Sequence, residues 1–134
     1  MKKPLNQHFI YWAPFLIWTA LTFVLLTKTV DIEPDTLSWL PEHTDKAVHF
    51  FIFGVLAWLL PAPLRKIHDW RVRPALWAGF LISSIYGLSL EGVQAMLPYR
   101  NASIYDAVAN MLGAATVFVQ MRWNQLSWPI RDHS

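Results

Sequence analysis

Charged residues stand too far apart in this chain for an ordinary water-soluble fold. Between Lys3 and Lys28 lie 24 residues without Asp, Glu, Lys or Arg. Between Lys46 and Arg65 there are 18, between Arg73 and Glu91 there are 17, and between Asp106 and Arg122 there are 15. A helix that crosses a bilayer needs about 20 predominantly apolar residues. The first run meets that length outright, and the second and third come close. The fourth reaches it only by starting near Ser103 and taking in Asp106 and Asn110, so its polar start should face protein rather than lipid.

Composition agrees. Only 15% of the 134 residues are charged and 54% are hydrophobic. A soluble domain carries about 25% charged residues. A disordered chain and a nucleic-acid surface are excluded, the latter because the net charge is only +2 and the basic residues are not interleaved in a polar surface. There is no Cys, which excludes thiol catalysis, disulfides and cysteine-based zinc sites. The expectation is one all-α domain over 1–134, a small transmembrane four-helix bundle.

Helices are expected over residues 9–28, 44–60, 74–94 and 103–122. Pro14 lies early in the first and is expected to kink it. Thr44 opens the second, which Pro61 and Pro63 should stop. Pro74 suits the first turn of the third. Ser103 caps the fourth, with Asp106 in a box-like position three residues on. The first run is longer than a signal-peptide core and lacks a small-residue cleavage site, so it reads as a retained anchor.

Cytoplasmic segments are enriched in Lys and Arg. The N-terminal tail, residues 61–73 and the C-terminal tail hold Lys2, Lys3, Arg65, Lys66, Arg71, Arg73, Arg122 and Arg131. The opposite side holds only Lys28, Lys46 and Arg100. Both termini are therefore expected in the cytoplasm, with Trp12, Trp58, Trp70, Trp77, Trp123 and Trp128 toward the inner interface. The outer loop carries Asp31, Glu33, Asp35 and Glu42, with Trp39 and Leu40 dipping into the interface. His43, His68 and His133 read as loop residues without chemistry.

This orientation gathers polar residues at one depth near the outer leaflet. Asp45, Lys46 and His49 begin the second helix. Glu91 and Gln94 end the third. Arg100, Asp106 and Asn110 lead into the fourth. Asp45 and His49 share a helix stripe, as do Asp106 and Asn110. Ser84, Gly87, Gly113 and Ala114 continue such stripes with small residues, which let helices approach closely in a membrane.

Each residue alone has an ordinary reading. Asp45 and Asp106 suit first helical turns, Lys46 suits an interface, His49 suits a satisfied buried imidazole, and Asn110 suits interhelical bonding. Glu91 does not fit this way, because a helix C-terminus disfavours a carboxylate.

Two stretches resemble the signatures of the VanZ-like family. The first is Asp45-Lys46-Ala47-Val48-His49-Phe50 followed by Phe53-Gly54-Val55-Leu56. The second runs through Glu91-Gly92-Val93-Gln94, Pro98-Tyr99-Arg100, Ser103-Ile104-Tyr105-Asp106 and Asn110-Met111-Leu112-Gly113-Ala114. Tyr99 departs from the Gly that often precedes the Arg. The resemblance implies a small multi-pass protein of the bacterial inner membrane and a link to resistance against lipoglycopeptides such as teicoplanin. It implies no reaction.

The residues themselves suggest an outward-facing site that binds or acts on an anionic envelope lipid or lipid-linked precursor. Glu91, His49, Asp45 and Asp106 form the proton-handling set, with Asp45 orienting the imidazole. Lys46, Arg100, Gln94 and Asn110 form the binding set. Alternatives are lipid or drug binding without chemistry, in which a homodimer would supply a carrier's second half, and a purely structural cluster. No cofactor is expected. Asp45, His49, Glu91 and Asp106 are acceptable ligands for a divalent metal, but Lys46 and Arg100 argue against one by neutralising the carboxylates.

Overall fold

A computed structural model of the chain describes residues 3–28 and 44–126. Lys2, the acidic loop with Trp39 and Leu40, His43, and the tail with Trp128, Arg131 and His133 lie outside the described residues, as does the Trp123 side chain. The described residues form helices and no strands. The helices are α1 (Leu5–Thr27), α2 (Thr44–Leu59), α3 (Pro61–Lys66), α4 (Val72–Met96), α5 (Ile104–Ala115) and α6 (Val119–Leu126), with a 3₁₀ turn at Thr116–Phe118.

Among the described residues, four segments are long and apolar enough to cross a membrane: Leu5–Thr27, Thr44–Lys66, Val72–Met96 and Ile104–Arg122. Their lengths of 23, 23, 25 and 19 residues correspond to roughly 29–38 Å at 1.5 Å per residue, against a hydrocarbon core of about 30 Å. Phe51, Ile85 and Leu88 are at least half exposed on the bundle surface, where lipid rather than water satisfies them.

The expected end of the second span changes. Pro61 does not end the second span. It follows Leu60, which keeps helical dihedrals, and opens α3 as its first residue. A first turn leaves its N–H unbonded in any case, so Pro costs little there. Pro14 lies inside α1, which continues through it to Thr27.

The core is built where α2, α4 and α5 meet. Phe53, Leu56 and Leu90 form one buried cluster with Ile52 and Leu26. Ala57, Leu76, Ala114 and Val117 form a second. Glycine sets the spacing of α2 and α5. A Cβ on Gly113 would strike the carbonyl of Phe50, and one on Gly54 would lie 3.2 Å from the Gly113 carbonyl. Gly87 and Ser84 are buried on α4, as the small-residue stripe requires.

α1 is peripheral, with only Thr22 and Leu26 buried. Trp18 Nε1 donates to the Ile52 carbonyl at 2.9 Å, and Tyr86 Oη donates to the Thr19 carbonyl at 2.9 Å. At its N-terminal end, Lys3 donates to the Lys66 carbonyl and pairs with Asp69 at 2.8 Å. Trp77, near the start of α4, packs on Phe118 with ring centroids 4.8 Å apart. The start of α1, the link between α3 and α4, and the end of α5 therefore share one end of the bundle. That end carries Lys3, Arg65, Lys66, Arg71, Arg73 and Arg122.

Candidate functional site

The opposite end is where buried polar residues converge. His49 comes from the second turn of α2, Glu91 from the last turns of α4, and Asp106 and Asn110 from the first turns of α5. None is more than 8% exposed. Buried ionisable groups in a membrane span are costly unless partnered, and they mark function more often than packing.

Asn110 is the hub. Its Oδ1 lies 2.9 Å from His49 Nδ1, and its Nδ2 donates to Glu91 Oε1 at 3.5 Å. His49 Nδ1 is 3.6 Å from the same Glu91 oxygen. The imidazole stacks against Phe53, with centroids 6.4 Å apart and planes at 29°. Gly87 makes room: a Cβ there would lie 3.1 Å from that of Asn110 and 3.2 Å from Phe53.

The position of Glu91 has a tertiary explanation. Its Oε2 accepts the Ser103 N–H at 3.3 Å, and Ser103 is the N-cap of α5, its hydroxyl accepting from Tyr105 N–H. The Glu91 carboxylate from the last turns of α4 thus sits at the start of α5, where the helix dipole favours it. Glu91 therefore takes the Ser103 N–H that a capping box would give to Asp106, and Asp106 turns into the bundle. One of its oxygens, Oδ1, is buried without a hydrogen bond and lies 3.8 Å from Lys46 Nζ.

His49, Glu91 and Asp106 each offer a ligand-type atom, and these atoms all lie within 4.8 Å of one another. Among the described residues this is the group with metal-ligand chemistry.

Other expected site residues are placed differently. Asp45 does not orient the imidazole; Asn110 stands there instead. Asp45 is exposed and pairs with Lys46 at 2.9 Å. Lys46 sits at the rim between Asp45 and Asp106. Gln94 and Arg100 point to α1 rather than to His49. Gln94 Nε2 donates to the Leu26 carbonyl at 2.8 Å. Arg100 Nη2 donates to the carbonyls of Lys28 at 2.8 Å and Leu25 at 3.3 Å. Tyr99, the departure from the family pattern, joins them by donating to the Thr27 carbonyl at 3.1 Å. These three side chains satisfy the last carbonyls of α1, which a helix end leaves without partners. Sequence reasoning missed the Ser103 N–H as a site donor, since a backbone group has no residue-type signal.

An apolar groove of about 310 Å³ is lined by Phe50, Phe51, Gly54, Val55 and Trp58 of α2 and by Thr116. Two of these residues are joined by a hydrogen bond, Trp58 Nε1 donating to Thr116 Oγ1 at 3.0 Å.

Four apolar spans around a buried imidazole–carboxylate cluster define a multi-pass helical membrane protein with a polar site at one end of the bundle. The chain belongs to the VanZ/LLP1 family, whose family model matches residues 4–124. An uncharacterized protein of Schizosaccharomyces pombe is 36% identical over 72 residues, covering 53% of this chain and 42% of that protein. The chain thus matches less than half the length of that relative. No solved structure matches it.

Proposed function

We propose that this VanZ-type protein binds an anionic membrane-lipid headgroup, or a lipid-linked envelope precursor, at the His49–Glu91–Asp106 end and moves a proton on it. In this reading the protein resides in a bacterial inner membrane with both termini cytoplasmic. Resistance to teicoplanin-type drugs would follow from altered envelope lipid.

The observation that supports this most is the convergence of three ionisable side chains from three helices, each at least nine-tenths buried. Interhelical polar contacts in membranes average only about 0.6 kcal/mol, so three such groups are a costly way to hold helices together. Lys46, 31% exposed at the rim, is the cation placed to meet an anionic group entering from the interface. Asn110 fixes the ring of His49 through Nδ1, and Glu91 lies close enough to exchange a proton with it or with a bound headgroup. The groove beside α2 offers an acyl chain a path along the span. Arg100 and Gln94, expected as binding residues, act in this reading by fixing α1.

The test is native mass spectrometry of the protein in micelles containing phosphatidylglycerol, a polyprenyl phosphate and phosphatidylethanolamine. The wild type should retain the anionic lipids preferentially, and Lys46→Ala should lose the preference. Equal retention of anionic and zwitterionic lipid would remove the headgroup reading. Glu91→Gln should insert and retain lipid but lose the envelope phenotype. A fully active Glu91→Gln protein would take Glu91 out of the mechanism.

A further inference from the structure

We propose that His49, Glu91 and Asp106 hold a divalent cation of the zinc or manganese type, with the Asn110 carbonyl oxygen as a neighbouring donor. This deepens the preceding reading and rests on it for the anion that the cation would meet. Residue types alone argue against a metal, because Lys46 and Arg100 are expected to neutralise the carboxylates. The geometry removes most of that objection. Arg100 donates to the Lys28 and Leu25 carbonyls at the end of α1, and Lys46 is hydrogen-bonded to Asp45 at 2.9 Å. Of the two buried carboxylates, Asp106 has the rim lysine at 3.8 Å, whereas Glu91 faces the His49 imidazole at 3.6 Å and has no Lys or Arg within ion-pair distance among the described residues.

Two further observations point to a ligand. Asp106 Oδ1 is buried without a hydrogen bond, in a residue only 7% exposed. A carboxylate in that state gains strongly from a cation. His49 Nδ1 lies 3.6 Å from Glu91 Oε1 and 2.9 Å from Asn110 Oδ1, so a metal on this nitrogen would replace the proton it shares with Asn110 and take that oxygen as a neighbour; two ligands about 2.1 Å from one tetrahedral metal stand ~3.4 Å apart. The donors project from three facing helices, as metal ligands do in bundle cores. One imidazole with two carboxylates suits zinc or manganese better than calcium. Lys46 would remain with exposed Asp45 and flank the metal as a second anchor for a phosphate-like group.

Tag-free protein in detergent micelles, titrated with zinc and with manganese and read by calorimetry and by metal content after desalting, tests this. About one equivalent should bind. Affinity should fall ~10-fold or more in Glu91→Gln and in Asp106→Asn. It should rise in Lys46→Met, because the ammonium that competes for Asp106 is gone. A merely structural cluster would not produce that gain, and the Lys46 variant keeps the test readable if the carboxylate variants fail to fold. Neither ion binding to folded wild type, or equal binding by both carboxylate variants, overturns the cation site. Lipid retention is measured on the same wild-type sample. Anionic lipid without metal sinks only the cation, and metal without a preference for anionic lipid sinks only the headgroup reading.

Discussion

Glu91 shows how a residue can be wrong for its own helix and right for the molecule. Five residues before the end of α4 a carboxylate gains nothing from its own helix dipole, which favours an anion at the opposite end. The Ser103 N–H at the start of α5 compensates by donating to the carboxylate, which caps that second helix. Asp69 shows a simpler case outside the spans. It occupies a left-handed conformation with φ 55°, which Asp tolerates better than most residues. The hydrogen bond from the Lys3 ammonium, followed by that ion's charge, holds its carboxyl below its ordinary value of 3.8. A lowered folded-state value means that the pair's contribution is fully present above about pH 3.8. It is lost as pH falls through the folded-state value. The stability difference between wild type and Asp69→Asn should therefore be largest near neutral pH and vanish in strong acid. Thermal melts in micelles across that range check this, and a difference that grows in acid would contradict it. The pair is exposed, so the difference is expected to be small.

At the scale of elements, the α2–α5 contact and the docking of α1 obey different physics. α2 and α5 meet through Gly54 and Gly113, where no side chain intervenes, so their contact rests on backbone proximity. α1 buries little and is held instead at its end by Gln94, Tyr99 and Arg100. Arg100→Ala should lower stability on the order of 1–2 kcal/mol and speed amide exchange over residues 24–28, leaving α4 and α5 protected. Unchanged exchange at the end of α1 would show that the other two side chains suffice.

The spans were legible because their signal is local: length without charge. The near-simultaneous depth of Asp45, His49, Glu91 and Asp106 was legible for the same reason, since helix start and end set depth. Azimuth was not. One turn separates Asp45 from His49, and both were expected to face the interior, but only His49 does. Gln94 and Arg100 were read toward the site because the position of α1 relative to them depends on contacts between distant segments.

For the whole molecule, the described basic residues Lys3, Arg65, Lys66, Arg71, Arg73 and Arg122 collect at one end of the bundle, and the polar cluster lies at the other. In the proposed orientation, which follows the positive-inside rule, the first end faces the cytoplasm. The absence of Cys makes this simple to check. Ala102→Cys should react with a membrane-impermeant maleimide in intact cells. A cysteine at Arg71 should react only after lysis. The reverse pattern would place the His49–Glu91–Asp106 end in the cytoplasm and remove the envelope precursor from the proposal.

The sequence by itself determined that the chain is helical, that it has four spans, and at which depth its ionisable residues lie. Those properties follow from hydrophobic length and from charge position along one dimension. Only the tertiary structure decided which of those residues meet. Rotation about each helix axis is set by glycine contacts such as Gly113 on Phe50 and by cross-helix bonds such as Glu91 to Ser103. Such contacts join residues whose separation in the chain says nothing about their distance in space.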